Sequence, residues 1–342
     1  MHWQSSIDGH TTRNSESSLS HFEQIFKDFD RLKVLIVGDV MLDSYIWGSV
    51  DRISPEAPVP VVTVKKRDYR LGGAGNVIVN VQALGASPLA VSLIGNDDAA
   101  VKVRSCLKKL SVSEEGLVVS DSRPTTEKTR IIAGHQHVVR VDEETDREAS
   151  SEEEKQLIER IASLLPKSDV VIFQDYDKGT ITPKVISTTV ELARKLNIPT
   201  VVDPKRRNFL AYEQVTLFKP NLKELREGLK VDVSGLADIE KAVEQLKSKL
   251  RVEGVMTTLS ENGVYINYKN SKLQLPAHHR KIADVSGAGD TVVAIAAACV
   301  ALGLDAKEVA GLSNLGGGLV CQHVGVVPVD KAELLREAEE LL

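Results

Sequence analysis

The chain has 342 residues, 42% of them hydrophobic, and a formal net charge of −5. These values are ordinary for a globular protein with a sizeable core, and they do not decide between one large domain and two small ones. The acidic balance, with no strongly basic segment, argues against a protein that holds nucleic acid through phosphate contacts. We therefore expect no nucleic-acid partner.

Cysteine usage and hydropathy exclude two further classes. Cys106, Cys299 and Cys321 form no CxxC pair, so neither a disulfide framework nor a thiolate metal site is expected. The chain has no run of about 18 apolar residues, so we expect no membrane partner. Residues 1–20 lack the apolar core of a secretory signal and predict a flexible tail before a domain at 21–342. A cytoplasmic location fits these features.

The first strong pattern is a buried strand followed by two aspartates. After a short predicted helix at 22–29, residues 33–39 contain the continuous apolar run that is typical of a parallel strand covered on both faces. Ligands of open α/β sheets collect at the carboxyl ends of strands. Asp39 and Asp43 are therefore candidates for accepting hydrogen bonds from substrate hydroxyl groups, although a loop aspartate that caps a turn is an equally common explanation.

Residues 44–66 have a different character from the strand before them. Pro55, Pro58 and Pro60 fall within six positions, which forbids a helix and disfavours a central strand. We predict two short strands joined by a stiff connector, projecting from the main sheet as a small β lid. Exposed apolar side chains on such a lid would favour a homodimer through it.

A second β-rich stretch, at 124–141, predicts a hairpin around Gly134 that completes the lid. Its basic residues Lys128, Arg130 and Arg140 are candidates for holding a phosphate that the substrate already carries. A solvated strand face would explain each of them taken singly.

Between the two lid segments, Gly72-Gly73-Ala74-Gly75-Asn76 precedes apolar residues at 77, 81 and 84. This spacing predicts a glycine-rich turn that leads into a helix. It lacks the G-x-G-x-x-G spacing of a dinucleotide site, so a structural turn is the default interpretation.

From residue 150 onward, strand and helix patterns alternate, which predicts a parallel sheet with helices on both faces. Polar residues follow the predicted strands and are expected on one rim of the sheet: Asp175, Asp203, Asn221 and Glu224.

The octet Asp284-Val285-Ser286-Gly287-Ala288-Gly289-Asp290-Thr291 precedes a long apolar run at 292–302. It predicts a tight turn into a buried helix, whose first amides favour an anion such as a phosphoryl group in transfer. Asp290 lies in the first turn, where it can accept a proton from an attacking hydroxyl. For Gly-Ala-Gly-Asp alone, an ordinary capped turn is an equally good interpretation. Further on, Gly316, Gly317 and Gly318 indicate either an adenine ring lying over the backbone or tight helix packing.

The whole octet resembles the signature of the ribokinase-like (PfkB-type) carbohydrate kinases. The resemblance implies an α/β fold with a mostly parallel central sheet, helices on both faces and a small β lid. It also implies ATP and Mg²⁺ as cofactors. Gly287, Ala288 and Gly289 would form an anion hole, and Asp290 would be the catalytic base.

A more specific resemblance is carried by Gly38-Asp39-Val40-Met41-Leu42-Asp43 and by Arg52-Ile53-Ser54-Pro55-Glu56-Ala57-Pro58-Val59-Pro60-Val61. These segments are similar to the bacterial heptose 7-phosphate kinases, the kinase half of the ADP-heptose synthesis enzymes. The implied reaction is phosphorylation of D-glycero-D-manno-heptose 7-phosphate at O1, giving the 1,7-bisphosphate for ADP-heptose and lipopolysaccharide core synthesis. Two alternatives stay open, namely another sugar or nucleoside kinase of the superfamily and a non-catalytic nucleotide- or sugar-sensing protein.

The same resemblance assigns further site residues. On the substrate side it implies Asp39, Asp43, Gly72, Gly73, Asn76, Lys128, Arg140 and Asp175. On the nucleotide side it implies Asn221, Glu224, Thr258, Ser260, Gly263, Ser286 and Asn314. Asn221 and Glu224 would position Mg²⁺ through water, because this cation keeps several waters and needs few protein ligands. Ser260 stands where the family usually has glycine.

Overall fold

The computed structural model describes residues 19–134 and 136–342. The tail predicted at 1–20 lies, up to residue 18, outside the described residues. Within them the strands are β1 (Lys33–Gly38), β2 (Val40–Ile53), β3 (Pro60–Gly73), β4 (Ser87–Gly95), β5 (Leu117–Ser120), β6 (Glu127–Ala133), β7 (Gln136–Glu143), β8 (Val170–Gln174), β9 (Thr200–Asp203), β10 (Leu217–Phe218), β11 (Gly254–Thr258), β12 (Val264–Tyr268) and β13 (Ser271–Leu275). The helices are α1 (His21–Phe29), α2 (Ala74–Ala83), α3 (Asp98–Lys109), α4 (Ser151–Leu164), α5 (Pro183–Lys195), α6 (Leu222–Leu229), α7 (Leu236–Leu250), α8 (Ala288–Ala301), α9 (Ala306–Val320) and α10 (Lys331–Leu341).

The main sheet has the strand order β13-β12-β11-β10-β9-β8-β1-β4-β5. Every neighbouring pair from β11 to β5 is parallel, and the two pairs that involve β12, with β11 and with β13, are antiparallel. Successive side chains of β1 point to opposite faces. Val34 and Ile36 join the core with α2, α8 and α9, while Leu35 and Val37 join the core with α4, α5 and α7. The prediction of a mostly parallel sheet with helices on both faces is confirmed.

The smaller sheet has the strand order β3-β2-β6-β7 and combines both lid segments. The prediction of two short strands was wrong about their length, because β2 and β3 have 14 residues each. Their antiparallel pairing continues from the Ile53–Pro60 end to the Val40–Gly73 end, with register shifts between Trp47 and Gly48 and between Val50 and Arg52. Pro60 begins β3, where a missing N–H interrupts the ladder least.

Four elements of the fold were not predicted, namely β5, β12, β13 and α10. β13 is largely exposed and polar, so it lacks an apolar run, and α10 follows the last predicted element. No helix in the described part of the chain combines the length and the apolar character needed to cross a bilayer.

Candidate active site

Asp290 lies in the first turn of α8, at the carboxyl ends of the parallel strands, and its side chain is buried. Gly287 is the N-cap residue and has φ +79°, a left-handed conformation that glycine adopts without strain. No side chain in the described residues caps this N-terminus. The Ala288 amide donates to Val285 O at 3.3 Å within the turn. The amides of Gly289 and Asp290 have no protein acceptor among the described residues and stay available to a ligand.

Three side chains from other elements donate hydrogen bonds to the Asp290 carboxylate. Asn76 Nδ2 lies 3.1 Å from Oδ2, Gln174 Nε2 lies 3.0 Å from Oδ1, and the Tyr176 hydroxyl lies 2.7 Å from Oδ1. The carboxylate is therefore held in one orientation by α2 on one side and by the end of β8 on the other. Sequence reasoning assigned no role to Gln174 or Tyr176, although both flank the predicted strand-end residue Asp175.

Burial raises the pKa of Asp290 to about 6, and the nearby Asp203 carboxylate adds to this effect. The hydrogen bonds from Tyr176 and Asn76 and the charge of Lys219 act in the opposite direction. A carboxyl with a pKa near 6 is mostly ionised at neutral pH, and it is a stronger base than an ordinary aspartate. This is the property that proton abstraction from a hydroxyl group requires.

Asp290 faces a cavity of about 930 Å³ that also contains two lysines. Lys219 Nζ lies 3.3 Å from Asp203 Oδ1, and Lys205 Nζ lies 2.6 Å from Glu224 Oε1. Burial by itself would lower the pKa of Lys205, but the Asp203 and Glu224 carboxylates outweigh it and hold this pKa above its ordinary value. Both the lysines and the amides of α8 thus present positive charge to one cavity. Lys205 and Lys219 were missed as site residues, although each follows a predicted strand end.

Asn221 and Glu224 form a capping box at the start of α6. Glu224 N donates to Asn221 Oδ1 at 2.8 Å, and Asn221 N donates to Glu224 Oε2 at 2.9 Å. Both residues line the large cavity. Because the Glu224 oxygens are already engaged by Asn221 and Lys205, the pair fits Mg²⁺ held through water better than direct ligation.

The other predicted nucleotide-side residues line the same cavity, except for Ser286. Ser260 has φ +53° and starts a short 3₁₀ turn, which ends at Gly263 with φ +84°. Thr258 ends β11, and Asn314 Nδ2 donates to Pro276 O at 2.8 Å. Ser286 is not in the lining; its amide donates to Asp284 Oδ1 at 2.9 Å within the turn before α8.

The sequence left two explanations open for the three glycines of α9, tight helix packing and a ligand lying over bare backbone, and the structure gives support to both. A Cβ on Gly316 would collide with Ile295 of α8, so this position serves helix packing. Gly317 and Gly318 line the cavity, although a Cβ on Gly317 would also lie 2.7 Å from Val292 Cγ2 of α8, and a Cβ on Gly318 would lie 2.9 Å from Arg280 Nε. Bare backbone therefore faces the cavity beside Asn314.

Two of the predicted strand-end aspartates, Asp39 and Asp175, are engaged by other groups of the protein. Asp39 is buried, and its carboxylate accepts the amides of Tyr176, Lys178 and Thr180 at 2.9, 3.1 and 3.0 Å. Both of its oxygens are engaged by backbone amides of the 176–180 loop, which it shapes, and it lines neither cavity.

Asp175 points into the core beneath that loop. It accepts hydrogen bonds from Tyr212 Oη at 2.7 Å and Asn208 Nδ2 at 3.2 Å, and it lines neither cavity. Burial and the neighbouring Asp39 raise the pKa of Asp175 to about 6. The closing of residues 176–180 over the strand end turned both aspartates inward.

A second cavity, of about 370 Å³, lies on the lid side of Asn76 and is also lined by Asp43, Tyr45 and Arg70. Gly72 leaves room for the Asp43 carboxylate, since a Cβ there would lie 2.6 Å from Asp43 Oδ2. Gly73, with φ +58°, is the N-cap of α2 and sets the turn that carries Asn76 to Asp290.

The predicted lid residues share one charged face. Strand register pairs Asp43 with Arg70 and Lys128, and Arg130 with Arg140. On this face Arg130 Nη1 lies 2.5 Å from Asp43 Oδ1.

Lys128 and Arg140 are themselves paired with acidic residues. Lys128 Nζ lies 3.3 Å from Asp142 and 2.8 Å from Glu144, and Arg140 also pairs with Asp142. Glu144 also pairs with Lys178 at 2.8 Å, so the face meets the 176–180 loop.

Solved structures share this fold. The structure of phosphofructokinase-2 from Escherichia coli in complex with fructose-6-phosphate superimposes with a TM-score of 0.73 at 17% identity, covering 90% of this chain and 99% of that chain. The Arabidopsis thaliana ribokinase complexed with ribose and ATP gives a TM-score of 0.67 at 16% identity, covering 89% and 99%. These likenesses show that the chain has the ribokinase-like fold.

Sequence comparison gives the family. Residues 31–332 match the model of the pfkB family carbohydrate kinases, and the chain belongs to that family, whose members are ATP-dependent sugar kinases. It is 40% identical over 304 residues to the bifunctional protein HldE of Wolinella succinogenes and 40% identical over 321 residues to that of Caulobacter vibrioides. These matches cover 89% and 93% of this chain but only 64% and 65% of the relatives' lengths.

Proposed function

We propose that the protein transfers the γ-phosphoryl group of ATP to O1 of D-glycero-D-manno-heptose 7-phosphate. The observation that carries the proposal is the buried Asp290 carboxylate at an uncapped helix N-terminus, facing a cavity with two lysines. The heptose assignment is supported by the relatives named HldE, which match nearly all of this chain, and by the 38–43 and 52–61 segments.

In this proposal Asp290 takes the proton of the sugar hydroxyl as its oxygen bonds to the γ-phosphorus. The bond from that phosphorus to the bridging oxygen breaks, and ADP leaves with the electron pair. The amides of Gly287 and Gly289, with Lys205 and Lys219 nearby, stabilise the charge on the transferring group; the predicted third donor, the Ala288 amide, is bonded to Val285 O. Mg²⁺, when bound near Asn221 and Glu224 through water, supplies further positive charge to the phosphates.

ATP occupies the 930 Å³ cavity in this proposal. Its phosphates lie toward the start of α8, and its adenosine lies toward Asn314 and the bare backbone of Gly317 and Gly318. Thr258, Ser260 and Gly263 line the wall between these two ends, which supports their role in nucleotide binding.

The sugar lies on the other side of Asp290, next to Asn76 and Asp43, both of which line the smaller cavity. Its existing phosphate meets the charged face of the lid, where the cations are Arg70, Lys128, Arg130 and Arg140. Guanidinium groups suit this task because they bind phosphate oxygens in pairs. A kinase for unphosphorylated sugars would not need such a face.

We also propose a homodimer formed through the lid. Exposed apolar side chains on the lid strands and their connector support this interface: Val50, Ile53, Val59, Val64, Val139 and Val141. Their burial between two copies would remove apolar surface from water. Light scattering at micromolar concentration should give twice the chain mass, and a monomeric mass would argue against the interface.

The substrate assignment is tested by a kinase assay over a small panel. ATP consumption should be highest with D-glycero-D-manno-heptose 7-phosphate and much lower with fructose 6-phosphate or ribose. A protein with no preference for the heptose would refute the assignment but not the kinase class. A protein that binds ATP and transfers phosphate to no sugar would favour a sensor.

A further inference from the structure

The two oxygens of Asp290 are not equivalent. Oδ1 accepts hydrogen bonds from Tyr176 and Gln174, at 2.7 and 3.0 Å, whereas Oδ2 accepts one, from Asn76, at 3.1 Å. Each carboxylate oxygen has two lone pairs for hydrogen bonding. Oδ1 is therefore fully occupied by protein donors, and Oδ2 keeps one lone pair for a further partner.

Tyr176 is itself held firmly at this position. Its backbone amide donates to Asp39 Oδ2 at 2.9 Å, so the buried aspartate that closes the 176–180 loop also sets the direction of the tyrosine. Lys205 Nζ lies 5.4 Å from the centre of the Tyr176 ring. The tyrosine thus contacts the base with its hydroxyl and a cavity lysine with its ring face.

We infer that Tyr176 is a positioning residue for the phosphoryl transfer: with Gln174 it occupies Oδ1 of Asp290, so that Oδ2 takes the proton of the sugar hydroxyl. This inference rests on the proposed function, because it requires Asp290 to act as a base. It also gives the sugar a direction of approach, from the side of Asn76 and the smaller cavity. The proton moves from the sugar oxygen to Oδ2, while Tyr176 keeps its own proton and its bond to Oδ1.

The charges around Asp290 agree with these separate roles of Oδ1 and Oδ2. Asp203 faces it from the end of β9, Lys219 follows β10, and Lys205 follows β9. Burial and the charge of Asp290 hold the pKa of Tyr176 well above its ordinary value, so the hydroxyl remains a donor across the working pH range. Because a donated hydrogen bond favours the ionised carboxylate, Tyr176 lowers the pKa of Asp290 against the effect of burial.

The test is the Tyr176→Phe variant, which removes only the hydroxyl and keeps the ring beneath Lys205. We expect kcat to fall roughly ten- to hundred-fold, as for loss of a hydrogen bond to a charged group. The acid limb of the pH profile of kcat/KM should move to higher pH, and the KM for ATP should stay near the wild-type value. Tyr265→Phe is the matched control, because the Tyr265 hydroxyl is buried without a hydrogen-bond partner in the described residues and faces α7.

Wild-type kcat and an unmoved acid limb in Tyr176→Phe would overturn the inference. The variants are compared on whichever sugar the wild type phosphorylates best, so a wrong heptose assignment appears in the wild type alone. If no sugar is phosphorylated, ¹³C NMR of labelled aspartate, assigned with Asp290→Asn, still reads the titration of the Asp290 carboxyl. That titration should move to higher pH in Tyr176→Phe, and an unmoved midpoint would overturn the inference independently of activity.

Should Tyr176→Phe fail to fold, Gln174→Met removes the other donor to Oδ1 at similar volume. The acid limb and the NMR midpoint should then move in the same direction. If they do not move, the occupancy of Oδ1 does not set the properties of the base, and the inference is wrong.

Discussion

Asp290 is held in an environment that opposes its charge, so neutralising it should stabilise the fold while abolishing catalysis. In Asp290→Asn the side chain keeps its shape and loses the negative charge. We expect phosphoryl transfer to fall by about 10²- to 10⁴-fold, the range typical of a general base. ATP affinity should be retained, because the lysines and amides of the cavity are untouched.

The magnitude of the stabilisation follows from the pKa. The side chain has an ordinary pKa of 3.8 and a folded value of about 6, and each pKa unit corresponds to about 1.36 kcal/mol. The charged carboxylate therefore costs about 3 kcal/mol of unfolding free energy above pH 6. Since an asparagine cannot accept all three donated hydrogen bonds, the substitution loses about 1 kcal/mol of this stabilisation. The net gain at pH 8 is about 2 kcal/mol.

The sign of the pH dependence is fixed by the same shift. Because the folded pKa lies above the unfolded one, Asp290 contributes stability that is complete below about pH 4 and is lost as the pH rises through about 6. Roughly half of the change, about 1.4 kcal/mol, falls between pH 5 and pH 8. The advantage of Asp290→Asn over the wild type should grow by that amount across this interval.

Urea unfolding of both proteins at pH 5 and pH 8 measures this difference. Asp305→Asn makes the same chemical change at the N-cap of α9, where asparagine caps equally well, and it controls for amidation in general. An advantage of Asp290→Asn that is equal at the two pH values would refute the account of a buried, disfavoured charge.

Three further predictions follow from the site and its packing. The acid limb of kcat/KM should have a midpoint near pH 6, since the base must be ionised, and a midpoint near 4 would contradict the burial argument. Lys205→Met should lower kcat/KM for ATP by about tenfold or more, because it removes a positive charge from the phosphate end of the cavity and leaves Glu224 without its lysine partner. Steady-state kinetics with varied ATP measure this effect, and an unchanged kcat/KM would contradict the prediction. Gly316→Ala should destabilise the fold by about 1 kcal/mol, because the collision of the new Cβ with Ile295 Cδ1 outweighs the gain in helix propensity. Gly235→Ala, with open space around the new methyl group, should change the stability little. Equal melting temperatures for the two variants would count against tight packing at Gly316.

The local patterns of the sequence anticipated the elements that they encode directly. The apolar run at 33–39 required cover on both faces, and alternate residues of β1 do pack into two separate cores. The glycine octet predicted a turn into a buried helix, and α8 begins within it. The polar edge strand β13 had no such pattern and was not predicted.

The spacing of residues in the sequence could not predict the direction of the side chains at the strand ends. Asp39 and Asp175 lie on the expected rim, but residues 176–180 close over them, and buried carboxylates must satisfy their hydrogen bonds with whatever then surrounds them. Lys128 and Arg140 do lie on the charged face of the lid, yet their acidic partners could not be read from the 124–141 pattern.

The sequence by itself determined where Asp290 and its helix lie, because a glycine turn and an apolar run act within a few neighbouring residues. Only the tertiary structure decided how the Asp290 carboxylate is held. Asn76 reaches Asp290 across 214 positions of the chain, and Gln174 and Tyr176 reach it across 116 and 114. Such contacts depend on the order in which parallel strands assemble into the sheet, and no local pattern of residues encodes that order.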